Sequence, residues 1–178
     1  MARGRRGLFA LALLMLPADA GAQAIGWQEA VARLAAERTR AETCAGLLKR
    51  HGDEAARGQG ELGYGEAKAE VDAVVAGLVV ALAHGAEPAS LPELEARLRR
   101  GVAAREAFCA EVAPLVPGRA GERSVIADLV GGALGPLIEA VKALVLDARQ
   151  ADRLTRGTIQ TQLEATRWPA FAAVSPSA

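Results

Sequence analysis

Aromatic residues are nearly missing from this chain, which has three phenylalanines, two tryptophans and one tyrosine among 178 residues. Large rings cannot fill a core at that density. With alanine and aliphatic residues abundant, the interior must come from close packing of helices, where small side chains let backbones approach. Cysteine occurs only as Cys44 and Cys109, in neither a CxxC nor a CxxCH arrangement, which excludes a dithiol oxidoreductase site and covalently attached haem. Histidine occurs only as His51 and His84. Leu48 and Leu47 stand three and four residues before the first, Ala81 and Val80 before the second. Neither HExxH nor paired ExxH spacing exists, so no metal and no cofactor is expected. Both histidines fall where helices are expected to end, a favourable place beside unpaired carbonyls.

Charge of one sign is also lacking, with 21 basic and 21 acidic side chains. Such balance gives no long-range field to attract nucleic acid. Long apolar runs are absent too. Leu8 to Leu16 is nine residues and the uncharged stretch Ala73 to Ala83 eleven, against about 20 for a membrane-spanning helix.

What is present begins with a leader. Arg3, Arg5 and Arg6 precede the apolar run "LFALALLML", and small residues at Ala22 and Ala24 frame a cut, the layout of a cleaved secretory signal peptide over residues 1–24. Arg5, Arg6, Leu8 and Phe9 also match the twin-arginine pattern in outline, but no cofactor motif downstream requires folding before export, so ordinary secretion is expected. The expected location is periplasmic or secreted. Removing Arg3, Arg5, Arg6 and Asp19 with the leader leaves a formal charge of about minus two. Residues 25–168 are expected to form a single helical domain and 169–178 a flexible C-terminal tail.

Periodicity predicts four helices in an up-down bundle. Trp27, Val31, Leu34, Ala41, Cys44, Leu47 and Leu48 recur at steps of three and four over residues 26–51, ending at Gly52. Residues 52–63, "GDEAARGQGELG", read as a mobile connection. Helix two runs from Tyr64 to His84, with Val71, Val74, Val75, Leu78 and Leu82 on one face and Val79 and Val80 widening it. Ser90 caps helix three, whose stripe is Leu91, Leu94, Leu98, Val102, Phe108, Cys109 and Val112 and which ends near Pro114. After the turn at 117–123, Ser124 caps a long last helix reaching Trp168, kinked or broken at Pro136 and Gly157. In its stretch "DLVGGALGPLIEAVKALVL", Asp128, Gly131, Gly132, Gly135, Glu139 and Lys142 share one face. Leu129, Val130, Leu134, Leu137, Ile138, Val141, Leu144 and Val145 share the other, which makes an amphipathic helix rather than a loop or a membrane span.

Cys44 and Cys109 lie at similar distances from the ends of helices one and three, which run parallel in such a bundle. In an oxidising compartment this predicts a disulfide, with helices one and three as neighbours.

The search for chemistry finds no catalytic constellation. The string "GQGELGYGEAK" lacks the lysine followed by serine or threonine of a phosphate loop, and no apolar strand precedes it. Glu66, Glu70, Asp72 and Lys68 read as a solvated charged face, and Tyr64 as a packing residue at the start of helix two. Ser90 and Ser124 lie outside GxSxG and SxxK contexts and read as caps rather than nucleophiles. Arg97, Arg99, Arg100 and Arg105 are interrupted by Glu93, Glu95 and Glu106, a mixed helix surface.

The expected function is therefore binding, without catalysis, of a protein or apolar partner in the cell envelope, as an adaptor, inhibitor or chaperone-like protein. The candidate interface, or homodimer contact, is the wide apolar face of helices two and four: Val71, Val75, Leu78, Val79, Leu82, Leu134, Leu137 and Val141. The alternatives are an envelope enzyme whose carboxylates meet only in three dimensions, and a protein that contacts the membrane surface through helix four.

Overall fold

A computed structural model describes residues 24–84, 91–118, 129 and 134–176, and every regular element in them is helical. In chain order these are α1 (Ala24–His51), α2 (Glu54–His84), α3 (Leu91–Val112), a short 3-10 turn (Ala113–Leu115), α4 (Leu134–Gln150), α5 (Arg153–Glu164) and a second 3-10 turn (Phe171–Ala173). The main packings are α2 on α3, α1 on α4 and α5 on α2, with α1 also touching α2 and α3. Residues 1–23 of the leader, Ser90, Ser124, Asp128, Val130, Gly131 and Gly132 lie outside the described residues.

Cys44 and Cys109 are joined in a disulfide with their Cα atoms 5.4 Å apart. The buried apolar side chains of α1 explain how they come so close: they are Ala30, Leu34, Ala41, Cys44, Ala45 and Leu48, and half of these are alanine. A stripe of such small residues brings a neighbouring backbone within reach of a bond that large side chains would prevent.

The expected mobile connection at 52–63 is corrected. Only Gly52 and Asp53 separate α1 from α2. The Asp53 carboxylate accepts the Ala56 N–H at 2.8 Å and so caps α2 ten residues earlier than the apolar stripe announces. Glycine in a helix costs about 1 kcal/mol relative to alanine, but packing repays it at Gly60. A Cβ at that position would overlap Leu48 Cδ2 and come within 3.2 Å of Phe108 Cε2. The bare backbone of α2 is what lets it close on α1 and α3.

The single long last helix is likewise corrected to two. Ala151 N–H closes α4 on the Asp147 carbonyl at 3.0 Å, and Asp152 then starts α5 by accepting the Thr155 N–H at 2.7 Å. An aspartate with extended backbone can cap a new helix without strain, so the run breaks at Asp152 rather than at Gly157. Pro136 sits in the first turn of α4, where its missing N–H has no intrahelical partner to lose. Gly157 lies within α5.

Arg105 is the third correction. Arg97, Arg99 and Arg100 do lie on a mixed surface, paired with Glu93, Glu95 and Glu70. Arg105 is instead 0% exposed, against a Glu37 side chain that is 3% exposed. Its Nε donates to Glu37 Oε2 at 3.0 Å, its Nη1 to the Leu129 carbonyl, and its Nη2 lies 3.6 Å from Glu106. Arg40 donates to the other Glu37 oxygen. Position 105 lies three residues after Val102 and four before Cys109, and so falls on the core stripe of α3 rather than on its charged face.

Two stability measurements follow. Replacing both cysteines by alanine releases a 65-residue loop and is expected to cost about 4 kcal/mol, read from denaturant midpoints. Glu37→Leu strands the Arg105 guanidinium and is expected to cost about 3–5 kcal/mol, most of it recovered in the Glu37→Leu/Arg105→Met double variant. A double variant no more stable than the single one would refute the pairing.

Candidate functional site

The segment after α5 runs as irregular backbone across α1 and α2, and side chains of those helices take up its polar groups. Arg38 Nη1 donates to the Ala165 carbonyl at 2.7 Å, Tyr64 to Pro169 at 3.1 Å, and Lys49 Nζ to Ala172 at 3.1 Å and Val174 at 2.5 Å. In the other direction the Trp168 N–H donates to Asp72 Oδ1 at 3.1 Å. Buried backbone outside helices needs partners of this kind, because no ladder supplies them. Trp168 and Val174 are buried beneath the strap, so the segment expected as a tail from residue 169 is packed through residue 174.

Most of the scarce aromatics gather here. The Tyr64 ring lies 6.0 Å from Phe108, 5.5 Å from Trp168 and 5.6 Å from Phe171, and Lys49 Nζ stands 4.9 Å from the Phe171 ring centre. Burial, then the nearby Glu42 and Asp72 carboxylates, hold the Tyr64 hydroxyl above its usual range. The phenol stays protonated as a donor to Pro169 and cannot serve as a base near neutral pH.

Beside the strap runs a groove of about 400 Å³ lined by Arg38, Thr39, Glu42 and Thr43 of α1 and by Pro169, Ala173, Val174 and Ser175. The polar side chains that α1 contributes are engaged with one another or with the backbone. Arg38 Nε pairs with Glu42 at 2.7 Å, and the two threonine hydroxyls bond to the carbonyls of Ala35 and Thr39. With one carboxylate in the lining, itself ion-paired, the groove holds no acid and base pair.

A second concavity has different chemistry. Leu48, Ala56, Gln59, Gly60, Phe108, Glu111, Val112 and Leu115 line a recess of about 210 Å³ where the end of α1, the start of α2 and the end of α3 meet. Carbon dominates its walls, and the Gln59 amide and Glu111 carboxylate are its polar side chains. Leu62, one turn on from Gln59, is an exposed large apolar residue.

The residues expected to matter are dispersed. Val71, Val75, Leu78, Leu82, Leu137 and Val141 are buried within the chain, and Val79 and Leu134 are half-buried. The broad face of α2 is covered by α3 and α5 and that of α4 by α1, with Ile159 and Leu163 of α5 and Ala30 and Leu34 of α1 fully buried. His51 is half-buried at the end of α1 and His84 exposed at the end of α2. The charged string on α2 splits by role. Glu66 is exposed, Lys68 pairs with Asp72, and Glu70 receives Arg100 and Arg97 of α3, with the Arg100 hydrogen bond holding its carboxyl below the usual range. The recess was not legible in sequence, since its lining comes from three helices and the 3-10 turn. The missed signal was Gly60, a glycine within a turn of the residues that bury α2.

No protein family, curated protein or solved structure matches the chain. Among the described residues, no group of three or more histidine, cysteine and carboxylate side chains is placed to hold a metal ion, and no helix is long and apolar enough to cross a membrane.

Tyr64→Phe removes the donor to Pro169 while keeping the ring. It is expected to cost about 1 kcal/mol and to speed amide exchange across residues 165–174, leaving α4 unchanged. Uniform loss of protection over the whole chain would instead mean that the hydroxyl supports the core and not the strap.

Proposed function

We propose that the chain is an exported, non-enzymatic binding protein that takes an apolar side chain of a protein partner into the recess between α1, α2 and α3. The observation that carries this is the recess itself, a carbon-lined concavity, where the groove beside the strap is half polar and its α1 side chains are paired. At about 210 Å³ it is smaller than the roughly 300–1,000 Å³ of sites that enclose drug-sized ligands. It suits one anchoring side chain, the arrangement from which interfaces draw most of their binding energy. Glu111 and Gln59 at its edge would select a partner that also offers a hydrogen-bond donor.

Export after a cut at Ala24, into a periplasmic or extracellular space, is the second element of the reading. The leader layout and the buried disulfide support it together, because disulfides persist in oxidising compartments. The helices are proposed to form an up-down bundle in which the disulfide ties the two parallel members, α1 and α3, with the break between α4 and α5 letting the chain turn back over α2.

A photo-crosslinking residue at Gln59 in cells that export the full chain is expected to trap a discrete protein. The same residue at the exposed Thr158 on α5 should not. Filling the recess with Ala56→Phe, in a variant that retains its helical content and disulfide, should abolish the adduct. Equal trapping at both positions, or none at Gln59, defeats the proposal.

A further inference from the structure

Asp147 stands one turn before the end of α4 and faces the beginning of α1. Its carboxylate accepts the backbone N–H of Trp27. Its Oδ2 lies so close to Gly26 that a Cβ there would come within 2.5 Å of it. That oxygen is buried in a half-buried side chain and has no hydrogen-bond partner among the described residues. The first turn of α1 contains no acidic residue of its own, and the carboxylate that accepts its Trp27 N–H is brought from another helix. Burial raises the affinity of the Asp147 carboxyl for its proton, and the bond from Trp27 offsets this in part. The group is thus half used in a place that disfavours its charge, which is the condition a cation would relieve.

The chain can supply that cation from its own backbone. Hydrolysis of the Ala24–Ile25 peptide bond by a leader peptidase adds one water, leaving a carboxylate on Ala24 and an amine on Ile25 that is protonated at neutral pH. The new ammonium immediately precedes Gly26, the residue against which Asp147 Oδ2 is pressed. A positive charge there meets the positive end of the α1 dipole and is unfavourable without an anion beside it.

We propose that Asp147 is the receptor for the processed N-terminus: the α-ammonium of Ile25 pairs with Asp147 Oδ2 and fastens the start of α1 to α4. In the uncut chain the same nitrogen is a neutral amide and the pair cannot form. Processing therefore completes the contact between these helices, and Gly26 is the residue whose missing side chain leaves room for it. The inference rests on the proposed cut after Ala24 and extends it by naming the partner of the new terminus.

The full chain, produced in an exporting host, is purified, its first residue identified, and its α-amine titrated by competitive acetylation across pH. With Ile25 first, the amine is expected to titrate well above the roughly 7.7–8.0 of an unpaired terminus, and to return to that range in Asp147→Asn, which keeps an acceptor for Trp27. Gly26→Ala, a change that ordinarily favours a helix, is expected to produce the same return by displacing the carboxylate. Should Asp147→Asn lose its fold, acetylating the wild-type amine makes the comparison, and amide protection in the first turn of α1 is expected to fall. A first residue other than Ile25 defeats the processing reading, and the pairing with it, before any titration is read. An Ile25 terminus with an ordinary amine that neither substitution moves defeats the pairing alone.

Discussion

The approach of α1 to α3 at the Cys44–Cys109 bond is the constraint around which the rest is arranged. Cα atoms 5.4 Å apart bring the two helix backbones close together at this point. The positions around the bond are accordingly Ala41 and Ala45 on α1, with Gly60 where α2 closes over Leu48 and Phe108. Helices packed this tightly bury much backbone and little aromatic surface, which suits a chain almost without rings. Four of its six aromatic residues are then free to gather at one place, around Tyr64.

Charge in the interior follows the same logic of enforced partnership. Arg105 falls on the core stripe of α3, so its guanidinium enters the low-dielectric interior, where Glu37 and the Leu129 carbonyl accept from Nε and Nη1 while Nη2 has only the Glu106 carboxylate 3.6 Å away and no hydrogen bond among the described residues. Such a network ties α1, α3 and the region of Leu129 together with directional bonds that an apolar core lacks. The strap uses the same device at lower burial, with Arg38, Lys49, Tyr64 and Asp72 gripping backbone that no helix or sheet can satisfy. Asp147 belongs with these, but one of its oxygens has no partner among them.

The contrast between the two concavities bears on what the surface can do. In the groove beside the strap, ion pairing between Arg38 and Glu42 consumes the charged groups, leaving little to perform acid–base work or hold a charged ligand. In the recess the lining is mostly carbon, from Leu48, Ala56, Phe108, Val112 and Leu115, with Gly60 adding no side chain. Binding of an apolar anchor is the chemistry such a site favours, and the proposed function follows from that difference.

How much of this was legible depends on whether a feature is carried by one helix or by several. Period and composition alone determined that the chain is helical, where α1 ends and where α3 lies. The two cysteines on apolar stripes determined the disulfide, since one helix face repeats every three or four residues whatever surrounds it. Tertiary structure decided the rest. The glycine-rich start of α2 is helical where its composition reads as a linker, because Asp53 caps it and Gly60 lets it pack against Leu48 and Phe108, a long-range contact that a propensity sum cannot contain. The apolar faces of α2 and α4 look like surplus until α5 and α1 cover them, because the break at Asp152 that turns α5 back over α2 depends on one cap rather than on any periodicity. The recess and the Asp147 carboxylate were invisible for the same reason: each is assembled from residues far apart in the chain, and only the packed fold brings them within bonding distance.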